Sequence, residues 1–105
     1  MMPEDIRQVL SYRIKLQPED DIATEECWKK ETNILSRDIE STIHFLTTEA
    51  TDDELAWLSE VFDDVIEATH SRAILDAIKQ RAKNITDADC LHSVNVGIRY
   101  AEYNL

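Results

Sequence analysis

The sequence predicts an all-α fold, a single domain over residues 1–105 built as a bundle of about five helices. Three observations carry this. The chain has 105 residues, the length of one ordinary domain. It is 43% hydrophobic and 31% charged, enough apolar material for a core. With one Gly and two Pro it has almost nothing from which to build hairpin turns, whereas its apolar residues recur at helical spacing.

The first helix is expected from Pro3 to Leu16. Pro3 suits the first helical position, Glu4 and Asp5 suit the positive end of the helix dipole, and Ile6, Val9, Leu10 and Ile14 form the apolar stripe. Pro18 stops it. A long second helix follows, opened either by Pro18 or by a Thr24 cap ahead of Glu25 and Glu26. Trp28, Leu35, Ile39, Ile43 and Leu46 share one face, with Cys27, Ile34 and Phe45 alongside, and Thr47-Thr48-Glu49-Ala50 ends the run.

The third helix carries the clearest signal. Thr51 and Glu54 form a capping box, and Leu55, Leu58, Phe62, Val65, Ile66 and Thr69 repeat at helical spacing. His70-Ser71 makes a break, and Ser71 caps a fourth helix with Ile74, Ala77, Ile78 and Ile85 inside. Thr86 is the expected cap of a fifth, whose stripe is Leu91, Val94, Ile98, Ala101 and Leu105. Gly97 within it costs about 1 kcal/mol relative to Ala, which points to close packing or a kink.

The net charge of -11 and pI of about 4.5 argue against direct nucleic-acid binding, because phosphate requires Lys and Arg, and favour a cationic partner. The opening Met1-Met2-Pro3-Glu4-Asp5 has no basic or apolar leader character, and no apolar run is long enough to span a bilayer. A cytoplasmic protein without membrane association is expected. Cys27 and Cys90 stand far apart with no C-x-x-C, as for two free thiols.

On a wheel at about 100° per residue, the third helix separates its core stripe from Asp52, Asp53, Glu60, Asp63, Asp64 and Glu67, with no Lys or Arg between Asp52 and Glu67. Like charges at i,i+4 destabilise a helix, so the face is either a solvated acidic surface or a docking surface. Trp57 lies at its border, near Asp53 and Asp64. It is either a binding anchor or a side chain packed under a neighbouring helix. In the fifth helix, Val96, Tyr100 and Tyr103 oppose the core stripe, with His92 and Arg99 nearby. Either that helix is sandwiched between others or it presents a tyrosine patch to a partner. The partner-binding candidates are therefore Asp53, Trp57, Glu60, Asp63, Asp64, Glu67, Tyr100 and Tyr103. A smaller acidic concentration spans Glu19, Asp20, Asp21, Glu25, Glu26 and Glu31, offset in part by Lys29 and Lys30; Arg72, Lys79, Arg81 and Lys83 gather in the fourth helix as neutralisers of neighbouring acid.

No catalytic residue is nominated. The nearest metal-like arrangement is Asp89 with His92 at i,i+3 beside Cys90, a commonplace pattern, and a single Gly cannot make a phosphate loop. No metal, cofactor or enzymatic activity is expected.

The stretch Asp53-Glu54-Leu55-Ala56-Trp57-Leu58-Ser59-Glu60-Val61-Phe62-Asp63-Asp64-Val65-Ile66-Glu67, then Thr69-His70-Ser71, resembles small helical immunity proteins of bacterial polymorphic toxin systems, above all those of contact-dependent growth inhibition. The tail Val96-Gly97-Ile98-Arg99-Tyr100-Ala101-Glu102-Tyr103-Asn104-Leu105 is similar in kind. The resemblance covers roughly the second half of the chain and implies a protein that binds and neutralises a cognate toxin domain, often a nuclease such as an RNase. It transfers no site residue, so the candidates above rest on the wheel alone. A basic nuclease would be attracted electrostatically to such an acidic inhibitor. The alternative is a helical adaptor or regulator that binds a basic protein with no toxin involved.

Overall fold

In the computed structural model, which describes residues 2–105, every regular element is helical. These elements are α1 Met2–Lys15, α2 Asp21–Ser36, α3 Ile39–His44, α4 Asp52–Leu58, α5 Phe62–Thr69, α6 Arg72–Ala82 and α7 Ala88–Glu102. A π-turn, Phe45–Glu49, extends α3, and a 3-10 turn, Ser59–Val61, joins α4 to α5. The five expected runs are all present, but the second and third are each interrupted.

Caps explain most of the boundaries. The cap of α2 is Asp20, which accepts from the Ala23 amide, in place of Pro18 or Thr24. The capping box at Thr51 is complete: the hydroxyl accepts from the Glu54 amide and the Glu54 carboxylate accepts from the Thr51 amide. Ser71 caps α6 through the Ile74 amide. The residue before it, His70, closes α5 in the left-handed region at φ 50, its amide donating to the Ile66 carbonyl at 2.7 Å. For α7 the cap is Asp87 instead of Thr86; its carboxylate accepts from the Cys90 amide and suits the positive helix end better than a hydroxyl does.

Interruption of the second run occurs at Arg37-Asp38 without Gly or Pro. Asp38 is extended and caps α3 through the Ser41 amide. The buried Thr42 hydroxyl donates to the Leu35 carbonyl at 2.7 Å, satisfying an acceptor that the break releases. The π-turn then places Phe45 and Leu46 in the core, while the hydroxyls of Thr47 and Thr48 donate to the carbonyls of Ile43 and His44.

α7 is the central strut, packed against α4, the 3-10 turn, α5 and α6; α1 pairs with α2, which lies on α5. Ile6, Leu35, Phe45, Leu55, Leu58, Phe62, Ile66, Ile74, Leu75 and Ile78 fill one continuous core. Gly97 lets α7 approach the 3-10 turn: a Cβ there would stand 2.7 Å from the Ser59 carbonyl oxygen and 2.9 Å from the Phe62 ring. Close packing is thus the reason for a glycine in mid-helix. Three apolar residues expected inside, Ile14, Ile39 and Leu105, are exposed: Ile14 and Ile39 lie at or next to a helix end, and Leu105 lies three residues beyond the end of α7.

Candidate protein-binding face

The 3-10 turn divides the acidic run. Three residues at 3.0 per turn, instead of 3.6, advance the chain by about 60° more than an α-helix would. A single wheel therefore does not hold across Ser59–Val61, and the acid of α4 and of α5 points in different directions.

The acid of α4 is engaged with the fold. Arg81 donates to Asp52 at 2.6 Å and to the Ala50 carbonyl at 3.1 Å, and Arg7 donates to both oxygens of Glu54. Hydrogen bonding to Arg7 is the main reason that the Glu54 carboxyl is held below its usual range. Asp53 is exposed at the start of this helix; its charge reaches the Cys90 thiol, which is pushed up first by partial burial and then by Asp87, Asp53 and Asp52. Asp53 is thus not brought together with the acid of α5.

Glu60, in the turn itself, is a paired residue. Arg13 forks onto it, with Nε 3.0 Å from Oε1 and Nη2 2.7 Å from Oε2, and the indole nitrogen of Trp28 donates to Oε1 at 3.2 Å. The same guanidinium lies 5.1 Å from the ring centroid of Trp57. Trp57 is therefore half-buried under α1 through Arg13, the packing alternative of the two that the sequence left open. Trp57 and Glu60 still border a small surface recess with Ser93.

Near this pair lies a residue that the sequence groups with the smaller acidic concentration of Glu19 to Glu26. Glu31 is 0% exposed, and neither of its carboxylate oxygens has a hydrogen-bond partner. Burial, with the Glu60 charge adding and Arg13 opposing, pushes its pKa up to about 8. Glu31 is thus a core residue, unlike Glu19, Asp20, Asp21, Glu25 and Glu26, which are exposed. The signal was present: Glu31 stands four residues from both Cys27 and Leu35, on their buried stripe.

On α5 the acid is uncompensated. The Arg and Lys ion pairs among the described residues join Arg7 to Glu54, Arg13 to Glu60, Lys79 to Glu102 and Arg81 to Asp52. Asp63, Asp64 and Glu67 take part in none of them. Partial burial first, then the charges of Asp63 and Glu67, raise the Asp64 carboxyl above its usual range. Two grooves flank this helix. One, of about 650 Å³, lies against α2 and is lined by Asp64, Glu67 and Trp28. The other, of about 460 Å³, lies against α7 and brings together Glu60, Asp63 and Tyr100. Tyr100 is 60% exposed and Tyr103 80%, so the outer face of α7 presents tyrosine instead of being sandwiched. Trp28, expected in the core stripe, lines the first groove.

Lys79 and Arg81 neutralise neighbouring acid as the fourth-helix composition suggests. Asp89, Cys90 and His92 do not converge as metal ligands would: among the described residues no group of three His, Cys, Asp or Glu side chains does so. Cys27 and Cys90 are free thiols, that of Cys27 pushed up mainly by burial. Among the described residues no helix is long and apolar enough to cross a membrane. No family model, curated protein or solved structure matches the chain.

Proposed function

We propose that this chain is an immunity protein that binds a cognate toxin domain, a basic nuclease such as an RNase, in the cytoplasm and neutralises it by direct contact. One observation carries the protein-binding part of this reading: among the described residues Asp63, Asp64 and Glu67 have no ion-pair partner, while the paired Arg and Lys side chains are engaged elsewhere. A surface serving the fold alone would place cations among these charges, since like charges at i,i+4 cost a few tenths of a kcal/mol per pair. A basic surface supplies those cations from outside. Tyr100 and Tyr103 on the adjoining face of α7 add aromatic area of the kind enriched in interface hot spots. The toxin as partner rests on the likeness of residues 53–71 and 96–105 to immunity proteins.

The test is co-expression with the product of the neighbouring gene. The expected outcome is rescue of growth and a one-to-one complex whose association slows as salt rises. Changing Asp63, Asp64 and Glu67 together to Lys should abolish protection without loss of helicity. Full protection by that variant would refute the acidic face, and absence of any complex would refute the immunity reading.

A further inference from the structure

The groove between α2 and α5 has a lining that specifies the group it takes. Trp28 supplies an aromatic surface on the α2 side, and Asp64 and Glu67 supply two carboxylates on the α5 side. Glu25 adds a third carboxylate and Lys29 a single cation, so the groove is net acidic. None of these five side chains except Trp28 has a hydrogen-bond or ion-pair partner among the described residues, and that of Trp28 is Glu60, outside the groove. Carboxylates and an aromatic surface both complement a flat cation with several N–H donors.

We propose that the α2–α5 groove is the socket for an arginine side chain of the basic partner, stacked on Trp28 and bridged to Asp64 and Glu67. Arginine fits better than lysine because its planar guanidinium stacks on an indole while it forks onto carboxylates, whereas an ammonium is a compact, strongly hydrated point charge. This deepens the reading above, since it rests on a cationic protein as the partner, and it moves the anchoring tryptophan from Trp57 to Trp28. Glu25 at the rim attracts the approaching side chain, and Lys29 sets a repulsive limit on how many cations enter.

The test uses the full chain, labelled with ¹⁵N, and two probes, tetra-arginine and tetra-lysine peptides at low salt. Tetra-arginine should shift the Trp28 indole resonance and the amides of residues 64–68 saturably, and tetra-lysine should bind several-fold more weakly. Combining Asp64→Asn with Glu67→Gln should weaken tetra-arginine binding about tenfold or more, while combining Glu19→Gln with Glu40→Gln removes as much charge elsewhere and should change it little. The first variant relieves repulsion between acids and is expected to fold, which its circular dichroism and thermal midpoint would verify. Shifts spread over the acidic surface, equal affinity for the two peptides, or an unchanged affinity in the Asp64 and Glu67 variant would overturn the socket. Its failure is distinguishable from that of the immunity reading. Protection from the toxin that survives the Asp64 and Glu67 variant removes the socket alone. Saturable arginine binding without protection removes the toxin alone.

Discussion

Glu31 should make this protein lose stability as the medium becomes more alkaline, and Glu31→Gln should remove that loss. The carboxyl is wholly buried without a hydrogen-bond partner, and its pKa stands near 8 against 4.5 for a free glutamate. Between those two values the folded chain holds a proton that the unfolded chain has released. Stability from this group is therefore fully present below pH 4.5 and falls as pH rises through about 8. The slope is about 1.4 kcal/mol per pH unit, so at pH 7 the group has cost about 3 kcal/mol relative to pH 4.5. Gln copies the shape of the protonated acid and cannot ionise. The variant should match the wild type near pH 4.5 and exceed it by about 3 kcal/mol at pH 7. Urea denaturation at pH 5, 6, 7 and 8 measures the difference, and the Glu31 carboxyl carbon followed by NMR gives the midpoint directly. Parallel stability curves for the two proteins across that range would refute the reasoning, as would a Glu31 midpoint near 4.5.

Three further outcomes follow from the packing. Gly97→Ala should destabilise by about 1–3 kcal/mol in denaturant titration, because its Cβ would meet the Ser59 carbonyl oxygen at 2.7 Å and backbone must move to admit it. Arg13→Met should cost about 2–3 kcal/mol, since it strands Glu60 and removes the contact over Trp57. It should also raise the Glu31 midpoint above that of the wild type, because Arg13 is the charge that lowers it; an unmoved midpoint would show the two uncoupled. Thr51→Ala should cost about 1 kcal/mol through loss of half the capping box, measured by thermal unfolding.

What the sequence made legible was local chemistry. The Thr51 and Glu54 box, the Ser71 cap and the His70 break are set by neighbours within three or four residues, and the structure has them where those residues stand. Breaks decided by tertiary contact were not legible. Nothing in Ser59-Glu60-Val61 resembles a turn; the chain tightens there where α7 presses Gly97 against Ser59, and both partners of that contact lie far apart in sequence. At the Arg37-Asp38 break the buried Thr42 hydroxyl reaches back to the Leu35 carbonyl, a contact that a propensity scale does not register. Of the candidate binding residues, Asp63, Asp64, Glu67, Tyr100 and Tyr103 are on accessible flanks of α5 and α7. Glu60 and Trp57 are instead committed to Arg13, and Asp53 stands apart, because a wheel carries no information about which charges meet a partner from another helix.

The tightened turn between α4 and α5 also separates two kinds of evolutionary freedom. Asp52 and Glu54 on one side hold Arg81 and Arg7, so changing them breaks contacts between helices. The carboxylates of Asp63, Asp64 and Glu67 on the other side join no ion pair among the described residues, so their replacement spares those pairs. A lineage could rewrite the acidic face of α5 to follow a changing partner while Phe62, Val65 and Ile66 on its buried face stay the same.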